Sequence, residues 1–368
     1  KLAHLLSMST GLDLDENGPA MNEIFSEEDW IEATFKRQLV SIPGKQFKYC
    51  TFLTHAMSQI LDVSSGKGLL ELSEKYLFEP LGIKLVHWEM GPNGYYFGGD
   101  KLWLTPRAMA KFGYLFLNDG KWGDEQVIPE EWVRESIKNR FDEFPDTNFT
   151  GYGYWWWLGK NGSYFARGAF GQIISIYPDE DIVVVFTGAS NSHWHLLTNE
   201  YIFPAIKSAG PLPPNPAANN RIKMITRDLE LPVSLSPRPL PETAKNISGK
   251  KFLLQKNDLD FSELTFYFEE SNQCRLSIKY EDNLLDMLVG LDEVYRVNDG
   301  IKWGIKSEKN IIALKGNWKD ENTFIMEFHE VGEPWYLDVE LEFDEDSLIS
   351  SFTWQPFRWQ FQIEGEIE

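Results

Sequence analysis

A chain of 368 residues with 42% hydrophobic and 14% aromatic content is long for one core and suits two well-packed domains rather than a disordered polymer. The net charge of -21 is shared by both halves, which disfavours nucleic acid or an anionic membrane surface as a partner. No run of about 18 apolar residues occurs, so no spanning helix is expected, and the two cysteines, Cys50 and Cys274, are too widely separated to argue a disulfide framework or a Cys-x-x-Cys metal site.

The chain opens Lys1-Leu2-Ala3-His4-Leu5-Leu6 with neither an initiator Met nor a signal pattern, and so reads as the middle of a longer protein. Leu2, Leu5 and Leu6 have helical spacing, ended by a Gly-containing turn over Ser7 to Asp13. An acidic loop follows to about Glu28. Glu27 to Leu39 reads as a helix with Trp30, Ile31, Phe35 and Leu39 on one face, and Pro43-Gly44 marks the loop after it. Phe52 to Leu61 has apolar residues at three- and four-residue spacing, which puts Tyr49 at a helix entrance. Further helices are predicted over Leu69 to Phe78, over Pro106 to Leu117 with Thr105 as N-cap, and over Glu130 to Lys138. Ile173 to Tyr177 and Ile182 to Phe186 are short β-branched runs around Pro178-Asp179-Glu180-Asp181, a hairpin with both faces covered. The three acidic residues are a solvated turn. A last helix spans Ser192 to Ile206, broken near Pro204. His193 and His195 fall two apart on it and point apart, so they make no metal site.

Eight of the nineteen prolines fall between 211 and 241, which reads as a stiff, extended connector. Beyond it Leu264-Phe266-Phe268, Leu276-Ile278, Leu337-Val339-Leu341 and Phe357-Trp359-Phe361-Ile363 alternate with period two, the pattern of an antiparallel all-β sandwich or barrel. Trp354, Phe357, Trp359 and Phe361 read as barrel core or rim. The predicted organisation is an α/β (α+β) domain over 1–210, a linker over 211–241 and a β-barrel domain over 242–368.

Two glycines in Ala166-Arg167-Gly168-Ala169-Phe170-Gly171-Gln172, just before the hairpin, either let a ligand approach the backbone or relieve strand crowding. Of Trp155-Trp156-Trp157, alternation allows at most one or two to face a cleft, the rest packing in the core.

Several ordered blocks within 1–210, among them HLLSMSTGLD, IPGKQFKYCTFLTHAMSQIL, LWLTPRAMAKFGYLFLNDG and ARGAFGQIISIYPDEDIVVV, resemble the serine β-lactamase and penicillin-binding-protein-like hydrolases. Within that superfamily the chain is similar to the class C-like branch of esterases, peptidases and 6-aminohexanoate-oligomer hydrolases. The resemblance implies an antiparallel sheet flanked by helices, and hydrolysis of an ester, amide or peptide through an acyl-enzyme, with neither metal nor cofactor. It places the family's Tyr-x-Asn motif at Tyr49-Cys50-Thr51 and its Lys-Thr-Gly motif at Ala166-Arg167-Gly168. Tyr49 is then the catalytic proton carrier, Ala169 supplies one oxyanion N–H beside Gly168, and Thr51, Arg167 and Gln172 contact substrate. Thr51 in place of Asn loses the amide's paired donor and acceptor, and Ala166 removes a cation that holds a substrate carboxylate. The first motif, Ser-x-x-Lys, would precede His4 and so lie upstream of Lys1. The literal matches Ser64-Ser65-Gly66-Lys67 and Ser248-Gly249-Lys250-Lys251 carry glycines where a helix must hold Ser and Lys one turn apart. Residues 242–368 resemble the lipocalin-like domain appended to some of these hydrolases. A non-catalytic binding or scaffold protein on the same fold is the alternative that the altered motifs permit.

Overall fold

In a computed structural model the described residues are 1–368 apart from 17, 147, 190–193, 230–235, 269–271, 302–310 and 356–357. They form two compact units, the first ending at Ile202 and the second running from Phe203 to Glu368. Among them no helix is long and apolar enough to cross a membrane.

The first unit begins with α1 (Leu2–Leu6), α2 (Pro19–Phe25), α3 (Trp30–Phe35) and α4 (Thr51–Ser65). α2 lies inside the stretch expected to be an acidic loop. Pro19 starts it, and Ala20, Met21 and Ile24 turn inward. α3 is shorter than its periodicity suggests, because the Asp29 carboxylate accepts the N–H groups of Ile31 and Glu32 and sets the helix start. Its buried face is Trp30, Ile31 and Thr34; Phe35 and Leu39 are exposed, correcting the face expected from spacing alone. The segment after α4 is α5 (Leu69–Ser73) running into a π-helical turn, Glu74–Phe78. α6 (Pro106–Leu117) starts as predicted, with the Thr105 hydroxyl accepting Ala108 N–H at 3.2 Å, and α7 covers Glu130–Ser136.

A five-stranded antiparallel meander follows: β1 (Gly151–Tyr152), β2 (Trp157–Leu158), β3 (Tyr164–Gly168), β4 (Gln172–Tyr177) and β5 (Ile182–Phe186). β4 is buried from Ile173 to Tyr177 on both faces, whereas the edge strand β5 fully buries only Val184. The expected last helix is broken into Trp194–Leu197, a π-helical Thr198–Ile202 and a 3-10 turn Phe203–Ala205; His193 lies outside the described residues.

In the second unit the proline-rich stretch is not extended throughout: α8 (Pro216–Leu229) occupies its middle, with residues 216–227 exposed. After α9 (Glu242–Ile247) come β6 (Lys251–Leu254), β7 (Phe261–Tyr267), β8 (Gln273–Tyr280), β9 (Asn283–Gly290), β10 (Arg296–Asn298), β11 (Ile312–Trp318), β12 (Thr323–Glu330), β13 (Tyr336–Asp344), β14 (Ser347–Gln355) and β15 (Trp359–Ile367). Apart from β10, which pairs only with β11, the strands form a ring of nine in which each hydrogen-bonds the next; first and last meet at Phe252 and Ile367, and a parallel bridge of Gly290 to Lys315 joins β9 to β11. This is a closed barrel. Phe252, Phe266, Phe324 and Phe343 fill it, and α9 buries Ala244 and Ile247 in the same core. Trp354 and Phe361 pack against that core, Trp359 is exposed at the rim, and Phe357 lies outside the described residues.

A side chain supports closure beside the bridge. Asn298 is buried; its Oδ1 accepts Leu288 N–H at 2.7 Å and its Nδ2 donates to Leu288 O at 3.0 Å, so the amide stands in for a backbone partner along β9. Asn298→Ala leaves both groups unpaired, each costing about 1–3 kcal/mol. A urea melt should therefore show the barrel transition destabilised by about 2–6 kcal/mol; an unchanged midpoint would mean that the parallel bridge closes the barrel alone.

Candidate active site

Tyr49 lies at the head of α4 because Cys50, in an extended conformation, is the N-cap and Thr51 opens the helix. The Cys50 side chain makes no capping bond. That work falls to Glu16, whose Oε2 accepts Thr51 N–H at 2.8 Å and whose Oε1 accepts the Thr51 hydroxyl at 2.5 Å. A carboxylate at a helix N-terminus is favoured by both the free N–H groups and the helix dipole. Thr51 is thus turned to Glu16, and only its lone pairs remain to meet a ligand.

A second carboxylate arrives on a loop. Gly98 and Gly99 press against the first turn of α4, where a Cβ on either would stand 2.0 Å from an oxygen of Thr54. Only glycine permits that approach, and it delivers the next residue, Asp100, to the electrostatic neighbourhood of Tyr49 and Glu16. Asp100 still reaches solvent, yet its carboxyl is surrounded by protein: burial, opposed by Lys101 and reinforced by Glu16 and Glu89, raises it to about 6.

On the sheet side, Ala166 joins the core between the sheet and α6, while the next residue, Arg167, faces the other way. Its guanidinium lies 5.1 Å from the Trp157 ring and 4.8 Å from Phe149. Trp157 also stacks on Tyr49, with centroids 5.9 Å apart. Trp157 is therefore the tryptophan of the three that meets the site; Trp156 is buried in the sheet core. Gly168 pairs with Gln172 across β3 and β4, and Ala169 opens a tight turn in which Phe170 and Gly171 both have positive φ. The Gln172 side-chain amide donates to Gly188 O, which fixes that end of the turn. The structure thus brings Tyr49, Thr51 and Arg167 together through Trp157 and Glu16, with Gly168, Ala169 and Gln172 following directly on the same strand pair.

The electrostatics of Tyr49 follow from this company. Burial, then Glu16, Asp100 and Cys50, raise its phenol to about 12, and Arg167 pulls the other way. Tyr49 is neutral at physiological pH, able to donate and accept a hydrogen bond. Lys48 does not help, since its ammonium pairs with Asp13 at 3.2 Å. Among the described residues no group of three or more His, Cys, Asp or Glu could hold a metal ion. Glu16 and Asp100 escape sequence reasoning: the first sits in a run that composition assigns to a loop, and the second is placed by its two preceding glycines.

Asp100 also gives a pH signature. Its folded pKa of about 6 exceeds the ordinary 3.8, so the unfolded chain ionises first as pH rises through 4 to 6, and stability falls across that window. Asp100→Asn should melt higher than wild type at pH 7.5 and level with it at pH 3.5. The gain is modest because the side chain reaches solvent. An equal shift at both pH values in thermal melts would assign the effect to packing.

The antiparallel sheet flanked by helices is the fold of the serine β-lactamase and penicillin-binding-protein-like hydrolases. Residues 1–193 match the family described as Beta-lactamase, and the chain belongs to that family. An uncharacterised protein of Alkalihalophilus pseudofirmus is 24% identical over 220 residues, which cover 50% of this chain and 59% of that relative. Similar solved structures include a candidate 6-aminohexanoate-dimer hydrolase from Bacillus anthracis, with a TM-score of 0.46, 20% identity, and coverage of 56% of this chain and 60% of that one. A penicillin-binding protein from Bacillus halodurans is similar with a TM-score of 0.41 and 14% identity, over 55% of this chain and 71% of that one. The chain thus spans about three-fifths of the curated relative it matches.

Proposed function

We propose that this chain is the larger part of a serine hydrolase that cleaves amide or ester bonds of small molecules or short peptides through an acyl-enzyme, its nucleophilic serine and lysine lying upstream of Lys1. The observation that carries the reading is the neutral Tyr49 phenol at the head of α4, flanked by Glu16 and Asp100 and within range of Arg167. A lysine from a Ser-x-x-Lys helix, brought beside that hydroxyl, lowers its pKa and lets it pass a proton between nucleophile and leaving group. Ala169 N–H and the serine N–H stabilise the oxyanion next to Gly168. Arg167 replaces the cation that Ala166 lacks, while Thr51 and Gln172 shape the floor with the lone pairs their hydrogen bonds leave over.

The test is adduct mapping. The full-length protein, incubated with p-nitrophenyl butyrate and quenched within one turnover, should carry an acyl group on a serine encoded upstream of Lys1, read by peptide mass spectrometry. Absence of any adduct or saturable turnover with p-nitrophenyl acetate, p-nitrophenyl butyrate and nitrocefin would favour the scaffold reading, which draws its support from Ala166 and from a Thr51 hydroxyl committed to Glu16.

A further inference from the structure

One edge of the five-stranded sheet has the make-up of an interior strand. β5 runs Ile182-Val183-Val184-Val185-Phe186, without proline, glycine or charge, and among the described residues its backbone hydrogen-bonds only to β4. Both of its faces are nonetheless covered. On one, Val183 and Val185 join the core beneath α6, which comes so close that a Cβ on Gly113 would stand 2.6 Å from Val183 Cγ1. On the other, Val184 is buried, and the Phe186 ring lies 6.5 Å from that of the buried Trp194. A continuous apolar run between two covered faces is the composition of a central strand, whereas an edge strand is normally blunted by shortness, charge or proline. The opposite edge follows that rule, since β1 is only two residues long, Gly151–Tyr152. β5 does not, and its outward N–H and C=O groups form a template for one more strand.

We propose that a strand from the segment upstream of Lys1 pairs with β5 and makes it an interior strand of the full-length protein. This rests on the hydrolase reading, which places the nucleophile on such a segment. In the curated relative the 220 matching residues are 59% of the whole, so that relative carries further segments. A second copy of the chain is the poorer occupant. One pair of five-residue strands falls far short of the roughly 1,200 Å2 that a stable interface buries, and two copies each of charge -21 repel one another. A strand on the same chain docks without the entropy cost of association, so a short pairing suffices. Distance is no obstacle. Trp155 N–H donates to Leu6 O at 3.0 Å, which puts α1 beside the β1–β2 end of the sheet. From there β5 is three or four strand spacings away, about 14–19 Å, within reach of about six extended residues. The position also sets the chemistry of the strand: about five residues, apolar on the side that meets α6 and free of proline where it pairs.

Hydrogen exchange read by mass spectrometry, on residues 1–368 and on the full-length protein, tests this. In residues 1–368 the outward amides of β5 should exchange at least about tenfold faster than those of β4, which is paired on both sides. In the full-length protein the two strands should exchange alike. A general stabilisation slows both together, so only a new partner for β5 closes the gap, and β12 in the second unit should not change. In addition, Ile182→p-benzoylphenylalanine in the full-length protein should cross-link on irradiation to a peptide upstream of Lys1; if that variant does not fold, exchange in the wild type decides. A gap that persists at full length, protection of β5 in residues 1–368 that rises with protein concentration, or a cross-link between copies or within residues 1–368 each overturn the proposal. Its failure is separable from that of the hydrolase reading. An acyl adduct on an upstream serine with β5 still unprotected removes the strand and keeps the nucleophile, whereas a protected β5 without an adduct does the reverse.

Discussion

Tyr49→Phe in the full-length protein is expected to lower kcat/KM for p-nitrophenyl butyrate by about 10²–10⁴, the usual worth of general acid–base help, with no change in melting temperature. The substitution removes only the hydroxyl. The ring that stacks on Trp157 and packs beside the α4 core stays in place, so a fall in rate cannot be charged to a loss of structure. Within residues 1–368 the phenol sits at about 12, because burial and the carboxylates of Glu16 and Asp100 outweigh Arg167. A base is therefore made only by adding positive charge, which is the part the proposed upstream lysine plays. Arg167→Ala, with Tyr49 kept, removes the cation that pulls the phenol pKa down among the described residues, and should lower the rate at neutral pH more than at pH 9. Wild-type rates for Tyr49→Phe from pH 6 to 9 would make Tyr49 a packing residue and the placement of the second motif wrong.

How far such a site can be read without coordinates depends on how local its causes are. α6 announces itself through Thr105 and Pro106, and the β4–β5 hairpin through two β-branched runs and a turn, since capping and turn chemistry act within a few residues. α4 is equally local, so Tyr49 at its entrance can be located from periodicity, while the role proposed for it comes from the resemblance. Glu16 and Asp100 have no such signature. Glu16 caps a helix 35 residues away in sequence, and Asp100 reaches the site only because Gly98 and Gly99 allow a loop to lie on α4. The same divide runs through the second unit. Alternation yields the strands, but ring closure rests on a parallel bridge between non-consecutive strands and on the Asn298 amide, which no period of two encodes. In the proline-rich stretch the prolines mask α8: Pro216 opens that helix, where its missing N–H costs nothing, and the proline-free run after it sustains the turns.

Purified residues 1–368 are expected to form no acyl adduct and to show no saturable turnover with p-nitrophenyl acetate, p-nitrophenyl butyrate or nitrocefin. Loss of the nucleophile alone costs on the order of 10⁶ in kcat in serine hydrolases of another fold, leaving only binding and oxyanion stabilisation. The serines of the two literal Ser-x-x-Lys matches are placed where they cannot serve. Ser64 and Ser65 close the C-terminal end of α4, about 20 Å along the axis from Thr51, and both donate their hydroxyls to Leu61 O. Gly66 then leaves the helix with a left-handed φ of 66°, and Lys67 pairs with Glu71 at 2.6 Å rather than with a serine. Ser248 belongs to the barrel unit, where its hydroxyl accepts Phe268 N–H at 2.9 Å. Nearer the start of the chain, Ser7 and Ser9 are buried and hydrogen-bonded to each other at 2.7 Å, closed to any substrate. Intact-mass spectrometry after incubation decides the matter: an added acetyl or butyryl group that appears with burst kinetics and maps to a serine within residues 1–368 would reveal a nucleophile in the folded chain, and the upstream assignment would fall.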